Sequence, residues 1–299
     1  RIDWNLYSRF EKYFLKLFTD ERQMHTRIFL DCSASMAKPE PSKAMYAMAF
    51  AAALGFLSVH NMDKLSLYFM QGDKATNPFG TIVGKTAFFG AVGEMEKLNF
   101  DGDTDIEKAI LGCDDQGTSD GITVIISDFF TESNWKKAVD YLCYKKRRVA
   151  LVQLMTPEDV DPSYTGRVTL IDSESEDLTD DRNIKMRITR GALDAYRMAL
   201  KDFLDDMKSF CRSRDCDFIS VTTDTPIEKA VFGVRAAHAV PVGDIVQPDE
   251  VRRRALALLR EIERFTRSVE REIRPQAVAG RRVLLAGAVD EDRLSLRER

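Results

Sequence analysis

The sequence predicts an α/β domain built on a doubly wound, mostly parallel sheet with helices on both faces. Three observations predict it. Segments of strand and helix character alternate along residues 26–232, the pattern of a parallel sheet covered on both sides. The strand segments are apolar runs without polar alternation, such as Thr123-Val124-Ile125-Ile126, as expected where both faces are buried. Finally, 44% hydrophobic and 31% charged residues in a chain of 299 is an ordinary globular balance, with length for one large domain or two small ones.

Residues 1–25 are charged and amphipathic, with Phe10, Tyr13, Phe14, Leu17 and Phe18. They read as a strand or an arm packing on the domain. Thr26 to Asp31 is a short apolar strand. Ala44 to Val59 is almost continuously apolar, yet it falls short of the ~20 residues that a bilayer crossing needs. It is rich in Ala, preceded by Pro41 and Ser42 and closed by His60, Asn61 and Asp63, so it reads as a helix buried against the sheet. Lys64 to Met70 is the second strand, and Gly80 to Gly84 a weak third at an edge. Ala87 to Leu98 has apolar residues at helical spacing, and Asp105 to Leu111 starts a short helix. Gly121 to Ser127 is the strongest strand signal in the chain. Asn134 to Lys146 is a helix whose basic C-terminal end suits the helix dipole. Val149 to Met155 is the next strand, and Arg167 to Asp172 an added one. A long helix, Thr189 to Arg214, precedes the last strand, Asp217 to Thr222, and a short helix to Phe232.

Composition changes after Phe232. Lys229 is the last lysine, and every later basic side chain except His238 is Arg. Residues 249–274 form an Arg- and Glu-rich amphipathic pattern with Leu256, Leu259, Ile262, Phe265 and Val269 on one face. The predicted organisation is an arm over 1–25, a domain over 26–232, and an Arg-rich helical extension over 233–299, either docked on the domain or foreign to it.

The net charge of −4 comes from interleaved acids and bases, which argues against a nucleic-acid surface. Five cysteines, at 32, 113, 143, 211 and 216, show no paired ligand spacing. An odd count without a secretory signal fits free thiols in a reducing cytosol. The chain starts at Arg1 rather than Met. The expected setting is therefore cytoplasmic, or membrane-associated if an upstream segment carries an anchor.

The chemistry-bearing residues cluster at strand ends. In doubly wound, Rossmann-type sheets, ligands bind outside the carboxyl ends of the strands, where strand order reverses. Asp31 ends the first strand, and Ser33 and Ser35 follow in the loop before the helix. Asp128 ends the strong 121–127 strand, counted here as the fourth and expected beside the first across the switch point. Thr104 lies in the loop Asp101-Gly102-Asp103-Thr104-Asp105. Taken singly, Asp31, Ser33, Ser35 and Thr104 are the residue types of helix N-caps, and Asp128 of a turn. Taken together they are hard oxygen donors, suited to Mg²⁺, Mn²⁺ or Ca²⁺ rather than zinc.

Asp31-Cys32-Ser33-Ala34-Ser35 resembles the metal-ion-dependent adhesion site of von Willebrand factor A-like domains, and Thr104 and Asp128 match its second and third loops. The match extends to Arg1-Ile2-Asp3-Trp4-Asn5, Phe100-Asp101-Gly102-Asp103-Thr104-Asp105, Ile126-Ser127-Asp128-Phe129-Phe130 and Leu170-Ile171-Asp172-Ser173-Glu174. These motifs together resemble the bacterial family called domain of unknown function 58, over residues 1–232. The resemblance implies that Ser33, Ser35 and Thr104 bind the metal directly or nearly so, with the Asp residues often acting through water. It also implies a MoxR-type AAA+ ATPase as partner, in chaperone-like maturation or regulation of other proteins.

The expected function is therefore a non-enzymatic, metal-dependent protein-binding module whose partner supplies an acidic residue to the metal. The alternative is a metal-dependent phosphohydrolase on the same sheet. An aspartyl phosphotransferase would want a second Asp at the position of Ser33, and a cysteine phosphatase an Arg where Lys38 stands. No Gly-rich phosphate loop is present, and His25, His60 and His238 lie far along the chain from the loops. Cys32 is expected to be a small buried residue, and Met36 to belong to the core.

Overall fold

The computed structural model describes residues 23–37, 43–95, 97–113, 121–162, 166–170, 184–227 and 229–231. The first half of the chain forms β1 (His25–Asp31), α1 (Ala34–Ala37), α2 (Lys43–His60), β2 (Lys64–Gln71), β3 (Lys74–Thr76), β4 (Thr81–Ile82), α3 (Lys85–Met95) and α4 (Ile106–Leu111). The second half forms β5 (Gly121–Ser127), α5 (Trp135–Tyr144), β6 (Arg148–Met155), α6 (Pro157–Val160), β7 (Gly166–Leu170), β8 (Ile184–Ile188), α7 (Arg190–Ser213) and β9 (Asp217–Thr222). Ile227 and residues 229–231 are helical.

Among the described residues seven strands make the main sheet, in the order β3-β2-β1-β5-β6-β9 with β4 also paired to β2. The run β2-β1-β5-β6-β9 is parallel throughout. Counting parallel strands alone, the order is 2-1-3-4-5, the flavodoxin-like form of the doubly wound sheet, with its switch point between β1 and β5. The expected adjacency of these two strands holds, with Ile28 opposite Val124. Along the path of the main sheet β5 is the fourth strand, as expected, while β3 and β4 turn back as short antiparallel pieces on the outer side of β2. The predicted strand near Arg167 is real but lies outside the main sheet. It pairs antiparallel with β8 in a separate two-stranded sheet, and β8 itself was not foreseen.

Side chains alternate between two apolar layers, as the two-residue strand period requires. Ile28, Leu30, Val124, Ile126, Ala150 and Val152 pack with α2 and α3 on one face. Phe29, Ile125, Val149 and Leu151 pack with α4, α5 and α7 on the other. Helix α2 is the one helix among the described residues with the length and hydropathy to cross a membrane, and 78% of that stretch is buried in the protein. Its alanines and Gly55 let it lie close to the sheet. A Cβ at Gly55 would stand 2.9 Å from both Leu65 and Phe88. Met36 and Cys32 are buried, as expected. Of the arm expected over 1–25, residues 23–25 are described, and His25 already belongs to β1; residues 1–22 and the extension over 233–299 lie outside the described residues.

Candidate metal centre

Three loops meet at the C-terminal edge of the sheet, over the switch point. The first follows β1. Asp31 is buried. Its Oδ1 accepts the Ser33 backbone N–H at 3.0 Å and its Oδ2 accepts the Ser127 hydroxyl at 2.6 Å. The chain then turns into α1, where the Ser33 and Ser35 hydroxyls hydrogen-bond each other at 3.0 Å. This loop is tied on both sides. The Cys32 N–H donates to the Met70 carbonyl at 2.9 Å, and the Cys32 carbonyl accepts from the Asp101 N–H at 3.0 Å.

The second loop is zipped to the first and to the end of β2. The Ala34 N–H donates to the Gly102 carbonyl at 2.8 Å. Gly102 has φ +69°, a conformation that favours glycine. Gly72 and Thr104 form a parallel bridge. The N-cap of α4 is Asp105, whose side chain accepts from the Lys108 N–H. The capping role open to Thr104 thus falls to its neighbour. The buried Thr104 hydroxyl donates to the Met70 carbonyl at 3.4 Å.

The third loop follows β5. Asp128 Oδ1 accepts the Phe130 N–H at 3.1 Å, and Phe129 adopts φ +58° as the chain turns. Thr131 donates its hydroxyl to the Thr104 carbonyl at 3.3 Å, joining the third loop to the second. The structure therefore brings Asp31, Ser33, Ser35, Thr104 and Asp128 to one place, through bonds among their own loops.

Two residues of this site were not singled out in the sequence. Ser127 braces Asp31. Lys43, the first residue of α2, puts its Nζ 2.6 Å from Asp128 Oδ2 and 3.7 Å from Asp159, with both members of the closer pair almost fully buried. It also stands over the Phe130 ring at 5.8 Å. A signal for Lys43 did exist. A cation in the first turn of a helix opposes the dipole, and this one heads an otherwise apolar helix.

Burial is the largest influence on the Asp31 carboxyl and leaves it above the usual carboxylate range. The Ser127 hydroxyl opposes this, the Asp128 charge adds to it, and the Ser33 N–H and Thr104 hydroxyl oppose it further. Cys32 is inert by the same physics. Burial, then the Asp31 charge, push its thiol up to about 12. His25 starts β1 at the opposite end of the strand, where Nε2 meets the Ser66 hydroxyl at 2.9 Å. His60 ends α2, and His238 lies outside the described residues.

The donor set fits a hard divalent cation. Neighbouring oxygens of an octahedral Mg²⁺ shell with bonds of about 2.1 Å stand about 3.0 Å apart. Ser33 and Ser35 already have that spacing. Among the described residues no group of three or more His, Cys, Asp and Glu could hold a metal, so a cation here must draw on hydroxyls as well as the two carboxylates.

A doubly wound, mostly parallel sheet that gathers these three loops at its switch point is the fold that the resemblance to von Willebrand factor A-like domains implied. The chain belongs to the family described as protein of unknown function DUF58, which matches residues 1–198. That match ends inside α7, short of the 232 residues over which the resemblance was read. No curated protein matches the chain. Among solved structures, it is similar to an aerotolerance-related membrane protein from Bacteroides fragilis carrying multiple mutations to serine. That similarity is 16% identity over 72% of this chain and 98% of that one, with a TM-score of 0.45. The conserved hypothetical protein BatB from Bacteroides thetaiotaomicron is 15% identical over the same shares, with a TM-score of 0.46. The manganese-loaded TRAP protein of Plasmodium vivax is 15% identical over 44% of this chain and 57% of its own, with a TM-score of 0.36.

Proposed function

We propose that this chain is a non-enzymatic protein-binding module that docks an acidic side chain of its partner through a divalent cation, Mg²⁺ or in its place Mn²⁺ or Ca²⁺. Ser33, Ser35 and Thr104 would hold the cation with neutral hydroxyls, and Asp31 and Asp128 would supply the charge. The observation that carries the reading is the convergence of three loops on paired hydroxyls 3.0 Å apart beside two buried carboxylates. A cation held largely by neutral oxygens stays electrophilic on its open side and accepts a carboxylate there.

The chain's own groups around that point are already committed. Ser127 and the Ser33 N–H hold Asp31, and Lys43 and the Phe130 N–H hold Asp128. In this reading both carboxylates serve the cation and no further base or nucleophile stands beside them: Cys32 is a buried thiol, and the described histidines are elsewhere. This arrangement supports binding over hydrolysis. By family resemblance the partner is a MoxR-type AAA+ ATPase, and the joint task is chaperone-like maturation or regulation of other proteins. That assignment rests on analogy of fold and family rather than on a residue.

The test is a pull-down of a purified MoxR-type ATPase by the immobilised chain, in Mg²⁺ and in EDTA. Capture should need Mg²⁺. It should weaken with Ser33→Ala and weaken further with Asp128→Ala, while both variants still unfold cooperatively. Capture indifferent to EDTA overturns the metal-dependent reading. Metal-dependent hydrolysis of phosphate esters, abolished by the same substitutions, would establish the phosphohydrolase instead.

A further inference from the structure

At the other edge of the sheet, two thiols from distant parts of the chain face each other. Cys143 lies in the last turn of α5, and Cys216 immediately precedes β9. Their sulfurs are 3.3 Å apart across 73 residues of sequence, and both side chains are partly exposed. Cys32, Cys113 and Cys211 are buried. The backbones on the two sides are held in place independently of the thiols. Arg214 Nε pairs with Asp140 Oδ1 at 2.6 Å, the Cys216 N–H donates to the Cys211 carbonyl at 2.9 Å, and the Lys146 N–H donates to the Cys143 carbonyl at 2.8 Å. Closing the sulfurs to the about 2.05 Å of a disulfide takes about 1.2 Å, a change that side-chain torsions can supply.

We infer that Cys143 and Cys216 form a reversible disulfide site, oxidised by hydrogen peroxide, that staples the end of α5 to the start of β9. The two thiols are not equivalent. The hydrogen bond with Cys216 draws the Cys143 thiol below its ordinary value. Burial and the charge of Asp140 oppose this, and Arg214 favours it. The same hydrogen bond, with burial, pushes Cys216 up. The Cys216 thiol also donates to the Arg214 carbonyl at 3.6 Å and so keeps its proton, which leaves Cys143 as the attacking sulfur, since the thiolate is the nucleophile.

The chemistry balances in two steps. The Cys143 thiolate attacks one peroxide oxygen, so an S–O bond forms, the O–O bond breaks, and the departing hydroxide takes up a proton as water. Cys216 then loses its proton and attacks the sulfenic sulfur. The S–S bond forms, the S–O bond breaks, and the hydroxide leaves as a second water. Two thiols lose two electrons and peroxide gains them.

The site lies at the N-terminal edge of the parallel strands, so it is separate from the candidate metal centre and does not depend on the function proposed for it. The test treats the full chain with a small excess of hydrogen peroxide, quenches it with N-ethylmaleimide, and maps the peptides by mass spectrometry. The expected product is a Cys143–Cys216 linked peptide, two hydrogens lighter than the reduced pair and restored by dithiothreitol. Cys143→Ser should abolish it. Cys216→Ser should leave a sulfenic acid at Cys143 that dimedone labels. The inference is overturned by an absence of linkage under conditions that oxidise free glutathione. Linkage scattered over the buried cysteines, or peroxide labelling at Cys216 rather than Cys143 in the single variants, also overturns it.

Discussion

Lys43→Met separates the two roles of the buried ion pair at the candidate metal centre. In the parent, Lys43 and Asp128 are 2.6 Å apart with side chains 5% and 3% exposed. Removing one member of such a pair strands the other charge and typically costs about 3–5 kcal/mol. Asp128 keeps the Phe130 N–H at 3.1 Å, and methionine nearly fills the space of the lysine stem, so the lower end of that range applies. For a domain of this size, each kcal/mol lowers the melting temperature by about 2–4 °C, so a loss of at least about 6 °C is expected in EDTA. Mg²⁺ should then stabilise the variant more than the parent, because no ammonium competes for Asp128. Circular dichroism melts of both proteins in EDTA and in Mg²⁺ measure each effect, with Lys43→Arg as the charge-retaining control. A variant that melts within about 2 °C of the parent in EDTA would show that the pair contributes little to stability. An equal response of the two proteins to Mg²⁺ would refute the competition.

Further outcomes follow from other residues. Because burial raises the Asp31 carboxyl, its contribution to stability is fully present below the unfolded value of about 3.9 and is lost as the pH rises through the raised folded value. In EDTA, urea unfolding of Asp31→Asn should therefore fall less steeply with rising pH than that of the parent. Parallel slopes would contradict the burial argument. Gly102→Ala should destabilise the domain by about 1 kcal/mol through its positive φ, and by loosening the Ala34–Gly102 link it should weaken Mg²⁺ binding measured by calorimetry. Deleting residues 233–299 should leave a cooperative thermal transition, since the main sheet is completed by β9, which ends at Thr222. A broad, non-cooperative melt would place the extension in the core.

Much of this protein was legible along the chain itself. The strand over Gly121–Ser127 was read to its exact limits, and the ends of α4, β6, α7 and β9 to within a residue or two. Apolar runs and helical spacing are properties of a segment and its immediate neighbours. That Asp31, Ser33, Ser35, Thr104 and Asp128 lie at the carboxyl edge was legible because strand ends and helix starts mark that edge of such a sheet. What the tertiary structure decided is which segments meet. Only it shows that β3 and β4 fold back on β2, and that β7 and β8 leave the main sheet as a pair. It also decides that Ser127 braces Asp31 across 96 residues, that Lys43 reaches Asp128 across 85, and that Cys143 meets Cys216 across 73. Contacts between remote segments depend on the packing of the whole core and on buried polar groups finding partners. No local pattern in the chain records those pairings.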